Sequence, residues 1–216
     1  EFGKLLLVDA VSSVGSIPLL TDEWGCDVVC TASQKGWMAA PGVAPISVSA
    51  AAWEAASSAR MPKVYFDLAL AKRYLERGQT PWTPALPQLY QLDVALEHIL
   101  AEGMERVWDR HARIARLTRE GIRALGLELF VRDERYASNT VTAVKVPQGV
   151  EGNKLAALCH DEYAVVLAEG QGPLAGKVFR IGHMGIVREE EVQEVMQALH
   201  GALRRLGFTP ARSAAR

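Results

Sequence analysis

DVVCTASQKGWMAAPGVAPISV, residues 27–48, joins two short apolar segments through ASQKGWMAAPG, where Lys35 is the lone charged side chain. Asp27–Thr31 and Gly42–Val48 have the length and the unbroken apolar character of strands covered on both faces. Lys4–Val8, KLLLV, is a third run of the same kind and ends at Asp9. The intervening AVSSVGSIPL is a loop by its Ser, Gly and Pro content, and Thr21 opens at most a short turn because Gly25 follows. Strands separated by connections that cross over predict an α/β sheet, with functional groups at the C-terminal strand ends.

Downstream, Ala50–Ala59 is Ala-rich and helical, whereas GQTPWTPALP, residues 78–87, holds three prolines and cannot be a helix interior. Leu86–Leu100 and Met104–Leu125 then carry apolar residues at helical spacing, the second through Val107, His111, Ile114, Thr118 and Ile122. Arg106, Arg110, Arg113, Arg116, Arg119 and Arg123 fall on its other face among Glu105, Asp109 and Glu120, which reads as a solvated face. From Leu127 the texture changes to short α+β units. Leu127–Val131, Thr140–Val146, Ala164–Ala168 and Lys177–Ile181 are expected strands, and Gly152–Asp161 and Arg188–Leu206 expected helices. The predicted domain boundary lies in the long helical region: residues 1–105 form one unit, 106–208 a smaller α+β unit, and 209–216 a disordered tail.

Lys and Arg total 24 against 25 Asp and Glu, so the charge balance gives no reason to expect nucleic acid or an anionic membrane as partner. No apolar run reaches the roughly 18 residues of a membrane span. The three cysteines, Cys26, Cys30 and Cys159, form no disulfide framework and suit a reducing compartment, so the expected location is the cytoplasm. Cys26 and Cys30 lack further ligands nearby, and the five histidines form no ligand-like pair, so no metal site is expected. GQGPLAGK, residues 170–177, is not a phosphate-binding loop, because its glycine spacing is wrong and Val178 follows the lysine.

Asp9 and Lys35 each sit just past an apolar strand, a spacing that can bring both to one sheet edge. Two readings fit the pair. A carboxylate and an amine facing one crevice can hold a pyridinium nitrogen protonated and form a Schiff base; or the pair is an ordinary strand-end aspartate and a lysine whose stem lies on apolar surface. Arg180, in KVFRIG, alternates along its strand with Phe179 and Ile181, and suits either a bidentate ligand carboxylate or an internal salt bridge.

LLLVDAVSSVG, TASQKGWMAAPG, YFDLALAKRYLERGQTPWTPALP and GQGPLAGKVFRIGHMG, in this order along nearly the whole chain, resemble the class V aminotransferases. These are pyridoxal 5′-phosphate (PLP) enzymes of fold type I, and the alanine–glyoxylate and serine–pyruvate branch is the most similar. The resemblance implies part of a large PLP-binding domain, a mostly parallel sheet with helices, followed by a smaller α+β C-terminal domain. It implies that Lys35 carries PLP and moves the proton, that Asp9 pairs with the pyridine nitrogen, that Val11 packs on one ring face, and that Gln34 donates to the phosphate. Thr80 and Thr83 would reach the phosphate of a neighbouring subunit's site, although relatives often carry Tyr at the position of Thr80. Arg180 would take the substrate α-carboxylate. The implied substrates are small amino acids such as alanine or serine and small 2-oxo acids such as glyoxylate or pyruvate, in a homodimer with shared sites. The residues before Glu1 would supply the ring-stacking aromatic and most phosphate donors, so the chain reads as a C-terminal portion. Another PLP reaction on the same scaffold, of lyase or desulfurase type, and a catalytically incomplete dimerising fragment are the alternatives; Cys159 in a predicted helix argues against a desulfurase.

Overall fold

The computed structural model describes residues 3–209. The expected tail lies, from residue 210 on, outside the described residues. Two three-stranded sheets are present among them, one at each end of the sequence. The first has order β1 (Leu7–Asp9), β2 (Val28–Cys30), β3 (Ile46–Val48). β1 and β2 run parallel, with Asp9 opposite Cys30. β3 lies antiparallel to β2, so the sheet is mixed. The sequence could not give this direction, because the short return through residues 31–45 needs no crossover helix.

Asp27 fastens the far end of this sheet. Its carboxylate accepts from the Leu6 amide at 2.9 Å and from the Ser49 hydroxyl at 2.7 Å, and these bonds hold its pKa below the ordinary aspartate value. Ser49 in turn caps helix α1 (Ala50–Ser57), accepting from the Ala52 amide at 3.0 Å. Helix α2 (Leu68–Leu75), absent from the sequence reading, is capped by Asp67. The proline-rich passage ends where helix α3 (Leu86–Glu102) begins, with Pro87 in its first turn, where a missing N–H costs no intrahelical bond.

Gly103, at φ +87°, separates α3 from α4 (Met104–Ala124). The buried stripe of α4 is Val107, His111, Ile114, Ala115, Thr118 and Ile122, as its spacing predicts. The opposite face departs from expectation. Arg110 and Arg119 are tucked in, with side chains 16% and 11% exposed: Arg110 forks onto Glu102, and Arg119 lies beside Glu134 and donates to Ser138 O at 3.2 Å.

The second sheet has order β4 (Val141–Lys145), β6 (Val178–Gly182), β5 (Ala168–Glu169), all antiparallel. Leu127–Val131 does not form the expected strand; one bridge, Leu129 to Val144, is all that pairs. Helices α5 (Gly152–Tyr163) and α6 (Glu189–Arg205) cover one face. Leu155, Cys159, Phe179, Ile181, Leu199 and Leu203 make the main core there. Burial pushes the Cys159 thiol up to about 11, which keeps it neutral and inert. α6 has Glu189–Glu191 in its first turn and Arg204 and Arg205 in its last, matching the helix dipole.

The first sheet has a smaller core of Ala10, Cys26 and Val29. The expectation that KLLLV is covered on both faces is not met within the described residues: Leu5, Leu6 and Leu7 are exposed, Leu7 by 66%. Met61, Val64, Tyr65 and Phe66, before α2, are exposed as well. β1 is an edge strand here, and no described element lies against its outer side.

Candidate active site

β1 and β2 end together, so the loops that follow them leave from the same sheet edge. The Ala10 amide still donates to Cys30 O at 2.9 Å, and there the two chains part. Asp9 closes β1. Its Oδ1 accepts from the Val11 amide at 3.0 Å, an Asx turn that fixes the carboxylate as the chain bends away. Asp9 is exposed and Val11 half-buried.

The β2 loop is built around Ser33, which is fully buried. Its hydroxyl donates to Ala40 O at 2.7 Å and accepts from the Val43 amide at 3.2 Å. Its own amide donates to Val43 O, and its carbonyl accepts from the Ala39 amide. Residues 33–43 are thus tied into a closed loop with Lys35 within it. Trp37 Nε1 donates to Thr31 Oγ1 at 3.0 Å and pins the base. Met38 takes a left-handed conformation, φ +62°, at the loop's far side.

The two loops are pressed together at Gly15 and Gly36. A Cβ on Gly36 would stand 2.5 Å from Val14 O and 2.6 Å from Ser16 Oγ, closer than real Cβ contacts. Gly15, at φ +87°, meets the Gly36 backbone from the other side. Absence of a side chain at residue 36 therefore sets how closely the Lys35 loop approaches the loop that follows Asp9. Neither glycine was singled out in the sequence, nor Ser33 as the lock; for Gly36 and Ser33 the signal available was their place one and two residues from Lys35, and for Gly15 there was none.

Lys35 is half-buried and Gln34 exposed. Both line a cavity of about 410 Å³ with Met38, Ala39, Met184, Gly185 and Ile186. The last three come from the turn after β6, the strand that holds Arg180. Arg180 Nε donates to Glu169 O at 3.1 Å. The expected alternative of an internal salt bridge is not found: among the described residues neither Arg180 nor Lys35 pairs with a carboxylate. Thr140 Oγ1 donates to Ser12 O at 2.9 Å, which ties the second sheet to the loop after Asp9.

Thr80 and Thr83 are not brought to this place. Both are exposed, and Thr80 Oγ1 donates to Trp82 O at 2.8 Å within its own turn. Thr80 lines a different cavity, with Ile46, Val48, Trp53 and Leu68. No group of three or more potential metal ligands occurs among the described residues.

Two parallel strands, one ending in an aspartate and the other followed by a loop that carries a lysine, beside a small antiparallel sheet with helices on one face, match a fold type I PLP-dependent architecture. Residues 1–195 match the family described as Aminotransferase class-V. The chain belongs to the class V aminotransferase family, whose members use PLP.

It is 42% identical over 205 residues to a protein of Synechococcus sp. (strain PCC 6716) named as the small subunit of a soluble hydrogenase, covering 95% of this chain and 53% of that one. It is 41% identical to the serine–glyoxylate aminotransferase of Methylorubrum extorquens, over 86% of this chain and 47% of the other. The solved structure of alanine–glyoxylate aminotransferase from Nostoc sp. superposes with a TM-score of 0.89 at 35% identity, covering 94% of this chain and 55% of its own. The chain spans about half the length of the curated relatives it matches. The aminotransferases among these relatives agree with the transaminase expectation and not with the lyase or desulfurase alternative.

Proposed function

We propose that this chain provides the lysine-bearing part of a PLP-dependent aminotransferase site, which moves an amino group between a small amino acid and a small 2-oxo acid. The observation that carries this reading is the parallel pairing of β1 and β2, which sends the Asp9 and Lys35 loops out from one sheet edge, in contact through Gly15 and Gly36. Serine, alanine and glyoxylate are the substrates named for the two aminotransferases compared above, and they are the substrates proposed here.

The residues present fit PLP. Asp9 has one carboxylate oxygen fixed by the Val11 amide, and the other is directed to no described donor, so it is available to a protonated ring nitrogen. Lys35 has an amine free of any described carboxylate, beside a cavity large enough for a small ligand. When bound, PLP supplies an electron-withdrawing ring that stabilises negative charge at the substrate α-carbon. Lys35 would hold PLP, and its Nζ would serve as the base that moves the substrate α-proton. Asp9 would keep the ring nitrogen protonated, Val11 would pack against the ring, and Gln34 would donate to the phosphate. Arg180, whose fork has no described carboxylate, receives the substrate carboxylate bidentately.

The assembly proposed is a homodimer in the cytoplasm, with Thr80 and Thr83 directed to the partner protomer's phosphate site. The exposed Thr80–Thr83 turn and the bare apolar side chains of Met61, Val64, Tyr65 and Phe66 support such an interface. No described helix is long and apolar enough to cross a membrane.

Borohydride reduction of the PLP-loaded protein, followed by peptide mass analysis, tests the reading. The pyridoxyl label is expected on Lys35, and serine–glyoxylate transamination is expected to fall by at least about 10²–10⁴-fold in Lys35→Ala, the range for loss of a general acid–base group. A label elsewhere, or near-normal turnover in the variant, overturns it.

A further inference from the structure

We propose that Glu102, Arg110 and His111 form a positioning clamp that holds the Met184–Ile186 turn against the Lys35 loop and so sets how widely the Lys35 amine is open. The part of this inference that concerns substrate access rests on the function proposed above; the clamp itself rests on the geometry alone.

Both backbone groups of Gly185 are taken by side chains of α4. The Gly185 amide donates to His111 Nε2 at 3.1 Å, and Arg110 Nη1 donates to Gly185 O. Arg110 is not free to swing. Its Nε and Nη2 donate to the two carboxylate oxygens of Glu102, each at 2.7 Å, in a bidentate fork that holds the Glu102 pKa low. His111 is also set. Its Nδ1 lies 2.7 Å from Val107 O, and a carbonyl only accepts, so Nδ1 carries the hydrogen and Nε2 presents its lone pair to Gly185. Burial lowers the His111 pKa and keeps that lone pair available.

The strand entering the turn is held in the same manner. His183 is buried, with Nδ1 3.2 Å from Asn139 O, Nε2 2.8 Å from Thr142 Oγ1, and its amide donating to Thr140 O. The turn is therefore fixed on the side away from the cavity. On the other side it touches the Lys35 loop directly: a Cβ on Gly185, at φ +82°, would meet Met38 Cγ at 3.2 Å. Met184, Gly185 and Ile186 form one wall of the cavity whose other wall is Gln34, Lys35, Met38 and Ala39. A change at Arg110 or His111, neither of which lines that cavity, is transmitted to it through Gly185.

The test uses the protein carrying this chain, with two readouts that require neither PLP nor turnover. One is backbone hydrogen exchange of the peptide spanning residues 183–187; the other is the rate of reductive methylation of Lys35 relative to Lys145. Arg110→Met and His111→Leu are expected to speed both by about 10-fold, the size of one lost hydrogen bond to a charged or buried group, while the core peptide 155–160 stays protected. His111→Gln, whose side-chain oxygen can accept from Gly185, should restore most of the protection. If Arg110→Met or His111→Leu exposes the core peptide too, Glu102→Gln takes its place, since it loosens the fork from a half-exposed position. Unchanged exchange at 183–187 overturns the clamp. Faster exchange with unchanged Lys35 labelling overturns its role at the cavity. In the PLP-loaded protein the same variants should raise KM for serine more than they lower kcat. A wild-type protein without transaminase activity speaks against the proposed function and leaves the first two readouts to judge the clamp.

Discussion

Arg180 is a guanidinium whose one described bond goes to a carbonyl, on a central strand whose neighbours Phe179 and Ile181 are core. A cation in that setting with no internal carboxylate is suited to an external one. Arg180→Lys keeps the charge and loses the planar fork. KM for serine and glyoxylate should rise by about 10–100-fold, as expected for charge-assisted hydrogen bonds, with PLP affinity little changed. Steady-state kinetics and a PLP titration separate the two; equal damage to PLP binding would assign Arg180 a structural role. Arg180 and Lys35 stand out in the sequence as cations beside or within an apolar run, although the run by itself left an internal salt bridge open for Arg180 and an ordinary surface lysine open for Lys35. Arg110 does not. It stands among six arginines at helical spacing, and nothing local distinguishes the one that turns inward to Glu102 and Gly185.

At the scale of elements, the contact between the loops after β1 and β2 decides the site. Gly36→Ala places a Cβ within 2.6 Å of both Val14 O and Ser16 Oγ. One of those atoms is backbone, so the loops must move apart. We expect a loss of about 1–3 kcal/mol in urea unfolding, the usual cost of overpacking, and weaker PLP capture at Lys35. Gly182→Ala, where a Cβ would meet nothing within 4 Å, is the control and should be near neutral. Equal stability of the two variants would remove Gly36 as the spacer. The long helices α3, α4 and α6 were legible, and α4 with its buried stripe, because burial of one side leaves a period of 3.6 in the sequence, whereas the short α2 was not. The antiparallel direction of β3 and the collapse of Leu127–Val131 to a single bridge were not, because an apolar run records burial and says nothing of its pairing partner.

For the whole molecule, the buried histidines make stability depend on pH. Burial lowers the His183 pKa from 6.5 to about 4, the Arg119 charge nearby acts in the same direction, and burial lowers the His111 pKa as well. Between those two values the unfolded state binds the proton and the native state does not. Stability is therefore fully present above about pH 6.5 and falls as the pH drops toward about 4, by up to about 3 kcal/mol from His183. Urea unfolding at about pH 7 and about pH 4.5 should show the decline, and His183→Gln should flatten it. An identical slope in the variant would place the pH dependence on other groups.

The sequence alone determined the α/β class, the apolar strands that precede Asp9 and Lys35, the apolar stripe of α4 and the order of motifs that marks the family. Each of these is a local pattern: an apolar run, a helical period, a charged residue out of place. The tertiary structure alone decided that Gly15 meets Gly36, that Ser12 receives Thr140, and that Gly185 is held by Arg110 and His111 from more than one element away. These contacts join segments far apart in the chain, through backbone groups that every residue possesses. Backbone amides and carbonyls leave no mark on residue identity, so their partners emerge only once the chain is folded.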